Sequence, residues 1–153
     1  MRGTDLRPRR LKPTPSELRQ GILPALIGYR LRLAQQAVFR DFAASVGELS
    51  PGRAGMLLLI EANPGVTQGR LAAAARLDRS TMVGVVDSLE ERGLIERRRG
   101  VDRRTNGLWL TRAGRTLAAR LRQRIERHES RIAARLSAQE RTQLLALLDK
   151  LGQ

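Results

Sequence analysis

The sequence predicts a mainly α-helical chain that carries one small β-hairpin. Three observations lead there. Long stretches repeat apolar residues at three- and four-residue steps, the period of a helix with one buried face. Good helix N-caps stand before those stretches at Ser16, Ser50, Asp78, Thr111 and Ser137. Only between Gly93 and Thr111 does the period change, where Leu94-Ile95-Glu96-Arg97-Arg98 and Gly107-Leu108-Trp109-Leu110 read as two strands joined by a loop over 99–105.

The chain has 153 residues, which suits one domain or one tightly fused unit with a real core. At 41 % hydrophobic and 29 % charged it lies far from disordered compositions. Cysteine is absent, which removes disulfides, thiolate metal sites and thiol redox switches. The single histidine, His128, leaves His-based metal sites and most general-base chemistry without their usual residues, so no metal and no cofactor is expected. His128 itself, between Arg127 and Glu129, reads as a surface or interface residue. There is no run of 18 apolar residues, and the basic start MRGTDLRPRRLKP lacks the apolar stretch of a secretory signal. A cytoplasmic protein without membrane contact is expected.

Charge is the strongest compositional signal. Lys and Arg number 29 against 15 Asp and Glu, a formal charge of +14. Such a field draws polyanions, with nucleic acid foremost. Only Lys12 and Lys150 are lysine, so the clustering of arginine matters more than its abundance.

Along the chain, residues 1–15 hold Arg2, Arg7, Arg9, Arg10 and Lys12 among three prolines and read as a basic flexible tail. Residues 16–47 read as one long N-terminal helix, with Leu23, Leu26, Ile27, Leu31, Val38, Phe39, Phe42 and Val46 on its apolar stripe. Roughly 30 residues make about 45 Å, longer than a lone small domain needs, so this helix is expected to meet a partner. Gly47 ends it, and Ser50-Pro51 opens a second helix, apolar nearly all round and hence buried. After the turn Asn63-Pro64-Gly65, two short helices over about 67–75 and 78–92 follow across a tight turn, a helix-turn-helix arrangement. The hairpin after Gly93 hangs behind it as a wing, which closes a lobe over 48–111. Residues 112–153 read as two C-terminal helices, the first with Leu117, Leu121, Ile125, Ile132 and Leu136 on one stripe. The second opens on the capping box Ser137-Ala138-Gln139-Glu140 and carries five leucines.

Within 49–114 the string Leu49-Ser50-Pro51, Gln68, Leu71-Ala72, Asp78-Arg79-Ser80-Thr81-Met82, Val86-Asp87-Ser88-Leu89-Glu90, Arg92-Gly93-Leu94-Ile95, Arg97-Arg98, Asp102-Arg103-Arg104, Leu110-Thr111 and Gly114 resembles the MarR family of winged-helix transcriptional regulators. The resemblance implies a winged helix-turn-helix fold, with residues 16–47 and 112–153 as dimerisation helices. It also implies that Ser80, Thr81 and their neighbours, Arg79 included, touch DNA. One of Arg103 and Arg104 would enter the minor groove while Asp102 orients a neighbouring guanidinium. Many relatives carry arginine where this chain has Gly84 or Ser88, so base reading here is expected to lean more on DNA shape.

The residues themselves support those roles to different degrees. In the second motif helix Met82, Val85, Val86 and Leu89 share a face that must pack inward. Ser80, Thr81, Gly84, Asp87 and Ser88 lie opposite, small or polar and suited to base edges, though a plain solvated face has the same composition. Arg97, Arg98, Arg99, Arg103 and Arg104 crowd eight residues of the hairpin against Asp102 alone, a repulsion that a phosphate backbone would relieve. Gln68 and Arg70, with Arg76, flank the first motif helix and suit phosphates. Leu108 and Leu110 should face inward and Trp109 outward. Tyr29, Phe39 and Phe42 read either as plain core or as a ligand box. By resemblance that box would line a cleft where a small aromatic acid or its coenzyme A thioester meets Arg32, Arg40 or Arg53, with Met56 nearby.

These features point to a homodimeric regulator of double-stranded DNA, a repressor of a pseudo-palindromic operator relieved by a small ligand. The alternative is a nonspecific architectural nucleic-acid-binding protein without an effector, which predicts no organised reading helix. Catalysis is not expected: no nucleophile elbow and no phosphate-binding G-x-x-x-x-G-K-[ST] loop is present.

Overall fold

Leu57, Leu71, Leu89 and Leu121 come from four different helices and are all fully buried, so the periodic stripes converge on one core. The structure, a computed structural model, describes residues 18–99 and 106–152. The basic tail, the Ser16 cap and the wing residues Asp102, Arg103 and Arg104 lie outside the described residues. The helices are α1 (Ile27–Ser45), α2 (Pro51–Ala62), α3 (Gln68–Ala75), α4 (Arg79–Glu91), α5 (Arg112–Ile132) and α6 (Ala138–Leu151). The strands β1 (Val66–Thr67), β2 (Ile95–Arg99) and β3 (Asn106–Leu110) make one antiparallel sheet in the order β1-β3-β2. This is a winged helix-turn-helix, mainly α, with the hairpin where the change of period puts it.

The chain divides into a segment through Gln36 and a larger unit from Ala37. In the first, the long helix expected from Ser16 is not continuous. Gly21 takes a left-handed φ of 55°, Leu23–Ala25 form a 3-10 turn around Pro24, and α1 begins only at Ile27. Pro24 has no N–H to give a helix, and Leu26 after the turn is extended at ψ 125°, which breaks a helix at this point. The 19 residues of α1 span roughly 28 Å rather than 45 Å.

In the larger unit the helix starts form as the caps dictate. Ser50, Thr67, Asp78 and Thr111 each accept a bond from the amide three residues on. Ser137 and Glu140 close a reciprocal capping box. α3 ends at Arg76, whose left-handed φ of 51° makes the tight motif turn, and α4 ends against Gly93 at φ 66°. The strand pairing sets Ile95 against Leu110 and Arg97 against Leu108, so Ile95, Leu108 and Leu110 reach the core. The pair Val66–Thr67 adds a third strand that pattern alone did not predict, pairing Val66 with Leu108.

Gly114 shows how close the packing runs. A Cβ there would collide with the backbone carbonyl of Leu94, so only glycine lets α5 meet the hairpin's base. Leu117, Ala118 and Leu121 of α5 then complete the core.

One further expectation changes. His128 is not a surface residue: it is 2 % exposed, its Nδ1 lies 2.6 Å from the Asp41 carboxylate, and the Phe42 ring meets it edge-on at 5.3 Å. Asp41 also accepts from Arg131 at 2.8 Å. These bonds, Arg131's foremost and then His128's, hold the Asp41 carboxyl well below the usual carboxylate range. Beyond His128, by contrast, the apolar stripe finds no cover. Ile132, Leu136 and every leucine of α6 are exposed, Leu147 at 58 %.

Candidate nucleic-acid interface

The site starts at the turn between α3 and α4. Asp78 sits at the N-cap of α4, its Oδ1 accepting the Thr81 amide at 2.8 Å and the Ser80 hydroxyl at 2.5 Å. Its Oδ2 accepts the Thr81 hydroxyl at 2.6 Å. The Ser80 bond, then those of Thr81, hold the Asp78 carboxyl well below the ordinary range, so it stays ionised. Asp78, Arg79, Ser80 and Thr81 are all exposed, and Met82 behind them is fully buried. Further along, Gly84 is exposed with open space where a Cβ would be, and Ser88 is half-buried. Gln68 opens α3 half-buried, and Arg70 stands exposed beside it. Arg76 donates instead to the backbone carbonyl of Gly152 at the end of α6.

The wing arginines divide into two sets. Arg97, on the core-facing side of β2, turns back to α4, where it bridges Asp87 at 2.5 Å and Glu90. That removes Arg97 from the expected phosphate-facing crowd. It also pairs two of the three carboxylates in the second half of α4, leaving Glu91 exposed, and ties α4 to β2. Arg98 points the other way, pairing with Glu96 and lying 5.5 Å over the Trp109 ring. Arg99 is exposed at the strand's end. Trp109 in turn lies against Gly65, where a Cβ would come within 2.9 Å of its ring at a φ of 81°. The clamp made by Arg97 was not anticipated from sequence. Its signal was the alternation with Ile95, which puts Arg97 on the inward face.

The candidate ligand residues fall in separate places. In the first segment, Arg32 stacks on Tyr29 at 5.1 Å. In the larger unit Phe42 and Met56 belong to the core, while Phe39, Arg40 and Arg53 are exposed. Arg53 and Met56 line one open cavity of about 330 Å³ together with Ala75, Leu77 and Val85. Its size lies at the lower end of small-molecule pockets. Its far wall, Val85, belongs to α4. Among the described residues no cluster of three metal-ligating side chains exists, and no helix is long and apolar enough to cross a membrane.

A profile of the MarR family matches residues 48–105. The chain is 40 % identical to a transcriptional regulatory protein for the hcr operon of Thauera aromatica, over 95 % of this chain and 92 % of that one. It is similar in structure to the transcriptional repressor CouR bound to a 23-mer DNA duplex, with a TM-score of 0.83 and 39 % identity over 90 % of this chain and 99 % of that chain. CouR bound to p-coumaroyl-CoA matches at the same TM-score of 0.83 and 37 % identity, with the same coverage of 90 % and 99 %. The PcaV regulator of Streptomyces coelicolor, in complex with its natural ligand, matches with a TM-score of 0.80 and 31 % identity, over 85 % of this chain and 94 % of that one.

Proposed function

The chain belongs to the MarR family and is a transcriptional regulator, and from that premise we propose that it is a homodimeric repressor of a pseudo-palindromic operator, released by a small aromatic acid or its coenzyme A thioester. In this reading α4 enters the major groove with Arg79, Ser80, Thr81, Gly84 and Ser88 foremost. Gln68 and Arg70 hold phosphates, and the wing residues Arg98, Arg99, Asp102, Arg103 and Arg104 track the backbone and the adjacent minor groove. The lobe over 48–111 reads DNA, while 16–47 and 112–153 join two copies. The exposed leucines of α6 supply an apolar surface that a second copy would cover.

The observation that carries this reading is the Arg97 clamp. It fixes an exposed polar helix start and an arginine-bearing strand to one another, so both can engage neighbouring grooves of one duplex together. Release follows from the cavity behind Val85. A ring filling it, with its carboxylate on Arg53, presses on the rear of α4 and favours a lobe arrangement that no longer matches the groove spacing. The complex of CouR with p-coumaroyl-CoA supports this chemistry.

Footprinting on a duplex selected from random sequence tests the proposal. Two protected half-sites about one helical turn apart are expected, and they should fade on addition of an aromatic acid or its thioester. Diffuse protection of any duplex would contradict the proposal and favour nonspecific architectural binding.

A further inference from the structure

We infer that Ser80 and Thr81 read the major groove only as hydrogen-bond acceptors, and so select base pairs that offer a cytosine N4 or adenine N6 amino group. Asp78 acts as the positioning residue that imposes this. The inference rests on the proposal that the start of α4 faces base edges.

A hydroxyl has one proton and two lone pairs. An ionised carboxylate can only accept, so at 2.5 and 2.6 Å from Asp78 both hydroxyls must point their protons at it. Each exposed oxygen is left with lone pairs alone to present to solvent. Guanine O6 and N7, adenine N7 and thymine O4 are acceptors and gain nothing from such a group. Phosphate oxygens are acceptors too, which argues against a backbone role for these two side chains. Only the amino groups of cytosine and adenine donate in the major groove.

The tether resists exchange. Bonds to a charged acceptor are roughly twice as strong as neutral ones. Turning either hydroxyl toward a phosphate would also bring the Asp78 charge to face that phosphate. The neighbouring Arg79, exposed and donor-only, complements the pair by suiting guanine or phosphate. The segment thus presents one donor followed by two acceptors, the acceptors fixed by a residue that touches no base.

The test uses the full chain and an operator selected from random duplexes. Each position is then replaced by an analogue without its amino group (purine for adenine, 2-pyrimidinone for cytosine) or without N7 (7-deaza purines). At one or two positions per half-site, amino removal should weaken wild-type binding roughly five- to tenfold, while N7 removal there is neutral. In Ser80→Ala or Thr81→Val the same amino removal should cost nothing further at that side chain's position, a double-mutant cycle between protein and base. Both variants keep Asp78 and its bond to the amide of residue 81, and an unchanged melting midpoint verifies the helix start. Asp78→Asn, with one accepting oxygen in place of two, should relax the preference toward acceptor bases. A penalty for N7 removal at these positions, or an amino penalty as large in both variants as in wild type, would overturn the inference. A selection that enriches no sequence would overturn the underlying placement of α4 instead.

Discussion

The lobe around α4 and the C-terminal helix α6 are built from the same kind of residue and treat it in opposite ways. Leu57, Leu71 and Leu89 of the lobe are at most 2 % exposed, whereas Leu144, Leu145, Leu147, Leu148 and Leu151 of α6 stand 40–58 % exposed. Burial of a leucine stabilises by about 1.5–3 kcal/mol, so α6 forgoes within one chain what the lobe gains. The lobe is therefore expected to hold its shape by itself, and α6 to draw its stability from a second copy. Under the proposed function, specific recognition would belong to the first region and association to the other.

The largest effect should come from breaking the lobe. Leu89→Ala leaves a cavity under the reading helix and should cost about 2–5 kcal/mol in urea unfolding. A cost no greater than that of an exposed α6 leucine would erase the contrast. Next, Leu144→Asp with Leu148→Asp in α6 should convert a particle of about twice 17.1 kDa into one of 17.1 kDa in sedimentation, with the helical content of the lobe retained. A variant that stays dimeric would move the association surface elsewhere.

Arg97→Met sharpens the comparison from within the lobe. Its ion pairs are partly solvent-exposed, so stability should fall by only about 0.5–1 kcal/mol. Operator binding should fall through lost alignment of wing and helix. Because no phosphate contact is removed, the slope of log affinity against log salt should stay as it is. A reduced slope would show that Arg97 meets DNA directly.

The smallest effect is in acid. Asp41 and Asp78 both titrate below their ordinary range, through bonds from Arg131 and His128 in one case and from Ser80 and Thr81 in the other. A carboxylate depressed in the folded state adds stability above its unfolded pKa of about 3.9, and that stability is lost as the pH falls below it. Asp41→Asn and Asp78→Asn should each flatten the decline in melting midpoint below about pH 4, and acid profiles parallel to wild type would count against these bonds.

Much of this was legible in the sequence, and the exceptions have physical reasons. Ser50, Asp78, Thr111 and Ser137 act locally, over three residues, so their caps follow from the chain itself. β1 is invisible because two residues carry no alternation, and its pairing depends on Leu108, 42 positions away. His128 sits between two charged neighbours that resemble a surface, and only Asp41, 87 positions distant, explains its burial. The break before α1 was carried by Gly21 and Pro24, two signals that the strong apolar stripe outweighed. At the site, counting arginines could not separate Arg97, which braces α4, from Arg98 and Arg99 beside it. The wing tip with Asp102, Arg103 and Arg104 lies outside the described residues, and its role rests on the proposal.

The central claim is that the start of α4 reads sequence. Thr81→Leu places a bulky apolar side chain there without removing a charge. Affinities of wild type and variant should be measured for the selected operator and for a random duplex at one salt concentration. The account predicts a much larger loss on the operator than on the random duplex. Equal losses on both would contradict it.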